Sequence, residues 1–169
     1  MMDVVKVVEK LRADAKFQEW QVANKKSFLY IVFAIRADPQ TWEIGFCNPK
    51  DNTAKTFIVG DTVDDVAEES KIFKPADEKV DELRLDKVTI NVDRALGIVE
   101  AVRVTDYPQE QANKTIIILQ QLKKPLWNVT LLTSSLNVLN VKIDARSGDV
   151  LEKSLVPALS FNSAKQKAS

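Results

Sequence analysis

The chain has 169 residues, of which 45% are hydrophobic and 28% charged, the balance of an ordinary globular protein long enough to bury a core. Basic and acidic residues number 24 each, so no net field draws in nucleic acid or acidic lipid. There is no histidine, and Cys47 is the single cysteine. Ser-His and Cys-His nucleophile pairs, an intrachain disulfide and a multi-thiolate zinc site are thereby excluded.

In chain order, Asp3 is placed to cap a first helix whose apolar positions Val4, Val8, Leu11 and Ala15 share one face. Three strands are predicted next: Phe28 to Arg36, Thr41 to Cys47 and Thr53 to Val59, the last two joined by the turn-forming Asn48-Pro49-Lys50-Asp51-Asn52. Asp61 to Ile72 reads as a short acidic helix, 73–82 as a polar linker, and Leu83, Leu85 and Val88 as an edge strand. Asn91 is placed to cap a second helix with an apolar stripe of Val92, Ala95, Leu96, Val99 and Val102. Strands then follow at Lys114 to Leu122, Leu126 to Ser134, Val138 to Asp144 and, after the Ser147-Gly148 turn, Val150 to Lys153. The tail Ser160 to Ser169 is small and polar and is expected to fray.

The order helix then strands occurs twice, and a shift of 85 residues lays Phe28 to Ala34 on Asn113 to Leu119 and Trp42 on Trp127. The same shift pairs Leu11 with Leu96 and Ile58 with Ile143. These matches predict an α+β protein of two tandem units, each a helix on a curved antiparallel sheet of three or four strands. The expected boundaries are 1–80 for the first, degenerate unit with its acidic linker helix, 81–156 for the second, and 157–169 for the tail.

Strict alternation in the first strand places Phe28, Tyr30 and Val32 on one face and Leu29, Ile31, Phe33 and Ile35 on the other. Both faces are apolar, so both need cover. Either the two units or two protomers cover each other, or the sheet receives a peptide or an apolar ligand. The run is far shorter than the ~20 residues of a membrane-spanning helix. As written, the chain is expected to be cytoplasmic, or extracytoplasmic if a signal or anchor has been removed.

Val141-Lys142-Ile143-Asp144-Ala145-Arg146-Ser147-Gly148-Asp149-Val150-Leu151 resembles the closing hairpin of PepSY domains, where a strand ends in Asp, turns through Gly and leaves as a short strand. Asn91 to Val99 is similar to the capped, Ala-containing helix that opens such a domain, so the resemblance frames residues 89–154. In the first half, Val59-Gly60-Asp61-Thr62-Val63 departs from that turn. The resemblance implies a cystatin-like fold and a non-catalytic role in binding or restraining proteins, often peptidases.

No catalytic, cofactor-binding or metal-binding residue is assigned from the sequence. Asp61, Asp64, Asp65, Glu68 and Glu69 form the densest carboxylate group and read as a helix cap and solvated face. Glu43, Asp144 and Asp149 are the candidates for paired-carboxylate chemistry, with Asp144 better explained as a hairpin residue. Trp42 and Trp127 are expected in the core, Trp20 and Tyr107 at exposed contacts, and Cys47 as a structural thiol. The function expected is a non-enzymatic, protein-binding or regulatory module, with a protein partner or a homodimer. The alternative is a ligand-binding or enzymatic protein whose pocket is lined by Phe33, Phe46 and Trp42 and approached by Glu43 or Asp144.

Overall fold

The computed structural model describes residues 1, 3–66, 68–72 and 78–160. Asp3 caps α1, Val4–Ala13, by accepting a hydrogen bond from the Val5 N–H at 2.8 Å. Val4, Val7, Val8 and Leu11 form its buried face. The helix does not run on to Ala15. Asp14 takes an extended conformation and caps the next helix, α2, Ala15–Ala23, by accepting from Lys16. The break turns α2 so that Phe17 is buried while Ala15 lies in solvent.

Four strands follow: β1 Phe28–Ile35, β2 Trp42–Asn48, β3 Thr53–Val59 and a short β4, Val63–Asp65. A two-residue β5, Ser70–Lys71, also pairs with β3. The acidic helix expected over 61–72 is therefore corrected to two strand fragments. The edge of β3 needs hydrogen-bond partners, and Lys55, Lys16 and Thr53 draw in Asp65, Asp64 and Glu69, so tertiary contacts override a weak local helical preference. Residues 73–77 of the expected linker lie outside the described residues. The expected edge strand at Leu83 to Val88 is also corrected. Leu83 is buried and donates its N–H to the Leu29 carbonyl, and Leu85–Lys87 is a single 3-10 turn.

In the second half, Asn91 caps α3, Val92–Asp106, through Arg94 N–H, with Val92, Ala95 and Val99 buried. The strands are β6 Ala112–Gln121, β7 Pro125–Thr133, β8 Asn137–Asp144 and β9 Val150–Pro157. The last is longer than the expected Val150 to Lys153. Residues 161–169 of the expected frayed tail lie outside the described residues.

The nine strands of the described residues form one antiparallel sheet in the order β4-β3-β2-β1-β6-β7-β8-β9, with β5 beside β3. The two halves meet edge to edge through β1 and β6, so neither covers the other's open face. At the seam Phe33 faces Ile118, its partner under the 85-residue shift, and Val32 faces Leu119. The shift does not hold everywhere. Trp42 pairs with Val59 and Trp127 with Ile143, so Ile143 matches Val59 and not Ile58. The first hairpin carries one more turn residue than the second. Likewise the two helix caps, Asp3 and Asn91, align Leu11 with buried Val99 and not with Leu96.

One face of the sheet carries the core. Val32, Ile44, Phe57, Leu119, Val129, Val141 and Ile143 join residues of α1, α2 and α3 in a single buried cluster. Burying that much aliphatic and aromatic surface is the main stabilising contribution.

A candidate interaction surface on the open face of the sheet

A β-bulge in β1 decides which side chains lie on the opposite face. Leu29 pairs with Phe46 and Ile31 with Gly45, leaving Tyr30 as the extra residue. The bulge breaks strict alternation. Leu29, Val32 and Ala34 are buried in the core, and Tyr30, Ile31, Phe33 and Ile35 turn away from it. This corrects the expectation that Leu29 shares a face with Ile31 and Phe33. Gly45 makes the bulge possible, because a Cβ there would sit 2.6 Å from Ile31 Cγ2 and 2.8 Å from Tyr30 Cε1.

At the seam this open face is mainly apolar, with Gln120 opposite Ile31. Phe33 and Ile118 stand side by side, flanked by Ile31, Ile35 and Ile116, and Ile35 is 37% exposed. None of α1, α2 and α3 packs over them, since each contributes residues to the cluster on the other side. Outward from the seam the row of opposed residues turns polar, through Glu43 on one side and Asn128, Lys142 and Glu152 on the other. Lys142 and Glu152 form an ion pair at 2.8 Å. An apolar strip rimmed by polar groups is the physical signature of a contact surface. Burial, and secondarily Cys47, raises the Tyr30 phenol above its ordinary pKa, so it stays neutral on this face.

The other residues singled out from sequence separate into structural roles. Trp42 and Trp127 are buried in the core, as expected. Trp20 is not an exposed contact: it stacks in a cluster with Phe17, Phe46 and Phe57 at centroid distances of 5.2–5.7 Å. Tyr107 likewise packs against the core. Cys47 is buried on β2, between Phe28 and Ala54.

Asp144 serves its own turn. It accepts hydrogen bonds from Arg146 N–H at 2.8 Å and Lys124 Nζ at 2.7 Å, and the Gly148 N–H closes the hairpin on its carbonyl. Lys124 first, and the turn amides after it, hold the Asp144 carboxyl below the ordinary carboxylate range. Glu43 on β2 is four strands away from β8, roughly 19 Å at the usual strand spacing. That separation is far beyond the ~9.5 Å limit for two carboxylates working on one bond. The pocket expected from Phe33, Phe46 and Trp42 does not form either. Phe46 and Trp42 lie on the core side and Phe33 on the open side. Sequence alternation alone missed this because the bulge at Tyr30 changes the phase of β1.

No protein-family profile matches the chain, and no curated protein matches it. Among solved structures the chain is similar to the crystal structure of a candidate lipoprotein from Clostridium difficile 630. The TM-score is 0.52 at 15% identity, covering 83% of this chain and 90% of that one. At that identity the likeness is one of fold, a mixed α+β architecture on an antiparallel sheet.

Proposed function

We propose that the protein is a non-enzymatic binding module of two tandem cystatin-like units, and that it holds a protein partner on the open face of its shared sheet. The observation that carries this reading is the half-buried apolar strip around Phe33 and Ile118, over which none of α1, α2 and α3 packs. The duplicated arrangement is supported by the seam, where Phe33 and Ile118, equivalent positions under the 85-residue shift, face each other at the centre of the β1–β6 pairing. The PepSY-like hairpin and helix of residues 89–154 make a peptidase the first partner class to test. An extracytoplasmic setting fits the lipoprotein neighbour.

A pull-down from lysate of the source organism, comparing wild type with Phe33→Lys, tests the face directly. Phe33 lies outside the core cluster, so the charge is tolerated by the fold while disrupting an apolar contact. A protein retained by the wild type and released by Phe33→Lys is the expected result. Equal retention by both, or none by either, overturns the reading. If the retained protein is a peptidase, its activity with and without the chain separates restraint from simple binding.

A further inference from the structure

The two edges of the sheet are treated differently. At the β4 edge the strands are three and two residues long, and lysines occupy the main-chain carbonyls around them. Lys10 donates to Gly60 O and Asp61 O, Lys16 to Val63 O, and Lys55 to Val66 O. Short strands and edge lysines are how sheets avoid adding another strand. The β9 edge is eight residues long, and among the described residues nothing pairs with its outer side.

The ladder identifies which main-chain groups are free. The Ala158 N–H donates to Leu136 O, in register with the pairs Asn137 with Pro157 and Val138 with Val156. Hydrogen-bonded pairs alternate along an antiparallel ladder. Val156, Ser154 and Glu152 therefore bond inward to β8, and Lys153 and Leu155 turn their N–H and C=O groups outward. Pro157, also turned outward, has no N–H to offer. At the other end the irregularity between Lys142 and Ile143 leaves Leu151 unpaired. The usable edge thus runs from Glu152 to Val156 and is centred on Ser154.

We propose that β9 pairs antiparallel with β9 of a second copy of this chain, with the two-fold axis at Ser154. In that register Lys153 of each copy faces Leu155 of the other. Each facing pair exchanges two main-chain hydrogen bonds, so every free donor of the edge is used. The neighbouring registers fail on charge or on chemistry. Centring on Lys153 sets two ammonium groups opposite each other, and centring on Leu155 places Pro157 where an N–H is required. With the axis at Ser154 no like charges are directly opposed. Lys153 is already neutralised by Asp106 at 2.6 Å. The dimer joins the two sheets into one and leaves the open face around Phe33 free, so it is independent of the proposed function.

Sedimentation equilibrium over a range of loading concentrations, combined with amide hydrogen exchange, tests the pairing. The wild type is expected to rise with concentration toward twice the monomer mass, as the Lys153 and Leu155 amides gain protection. Lys153→Pro removes one outward N–H without touching the β8 ladder, and Ser154→Lys sets like charges at the axis. Both are expected to lose the dimer, whereas Lys153→Ala, which keeps the N–H, retains it. Circular dichroism confirms that each variant is folded. If Lys153→Pro does not fold, Ser154→Lys still decides the matter. A wild type that stays monomeric overturns the proposal, and so does a dimer that survives Ser154→Lys. A dimer abolished by Phe33→Lys but not by Ser154→Lys overturns it as well, by assigning self-association to the open face.

Discussion

Trp42 in the first half and Trp127 in the second stand at the same point of matching hairpins, opposite Val59 and Ile143, yet their surroundings differ. The indole N–H of Trp127 donates to the Ile90 carbonyl at 2.8 Å, just ahead of the α3 cap. The buried indole N–H of Trp42 has no partner among the described residues. The halves also differ in what fills the space between helix and sheet. The first uses four rings, Phe17, Trp20, Phe46 and Phe57, with centroids 5.0–6.1 Å apart. The second uses Val129, Leu131, Leu139 and Val141. A broken helix pair over aromatics and one continuous helix over aliphatics thus support the same sheet. What is shared is the strand pairing at the seam, and what varies is the packing that holds each helix in place.

The largest effect expected from this difference is at Phe57, which touches three other rings. Phe57→Ala should cost about 3–5 kcal/mol and Val141→Ala about 2–3 kcal/mol, since the deleted ring leaves the larger cavity. Thermal unfolding monitored by circular dichroism gives the ranking. Both variants should still melt in one transition, because the cluster runs unbroken across β1 and β6 through Val32, Ala34, Ile117 and Leu119. Two resolved transitions would show that the halves are separate cooperative units and that the seam does little to join them.

The tryptophans sharpen the comparison at a smaller scale. Trp127→Phe and Trp42→Phe delete the same atoms from equally buried positions, but only the first removes a made hydrogen bond and strands the Ile90 carbonyl. Trp127→Phe should therefore be the more destabilising by about 1–2 kcal/mol, measured by urea titration of both variants. Equal losses would mean that Trp42 gains a partner in solution.

Much of this architecture is legible in the sequence where local chemistry decides it. Asp3 and Asn91 announce helix starts because a side-chain oxygen satisfies a free helical N–H. The six long strands of the two hairpin sets announce themselves by β-branched runs between turn residues. Features set by tertiary contact are not legible. The bulge at Tyr30 depends on Gly45 in the neighbouring strand, and the strand fragments at Val63 and Ser70 depend on the edge of β3. The helix break at Asp14 lies between the two. Its capping chemistry is visible, but the apolar spacing of Leu11 and Ala15 carries a sequence reading past it. Of the candidate surface, the doubly apolar β1 and β6 are visible in sequence. Which residues face outward on β1 is not.

The smallest effect expected is a gain, and it again separates the halves. Gly97 lies inside α3, is exposed, and a Cβ added there would meet nothing within 4 Å. A glycine in a helix interior costs roughly 0.5–1 kcal/mol relative to alanine, because the unfolded chain loses more freedom on ordering it. Gly97→Ala should therefore stabilise the protein by about that amount, which at this chain length raises the melting temperature by roughly 1–4 °C. Gly45 in the first half has the opposite character, since an added Cβ would collide with Ile31 and Tyr30 on the open face. Gly45→Ala should lower the melting temperature and disturb the bulge that sets the outward residues of β1. If Gly97→Ala fails to stabilise, the exposed side of α3 is not free in solution.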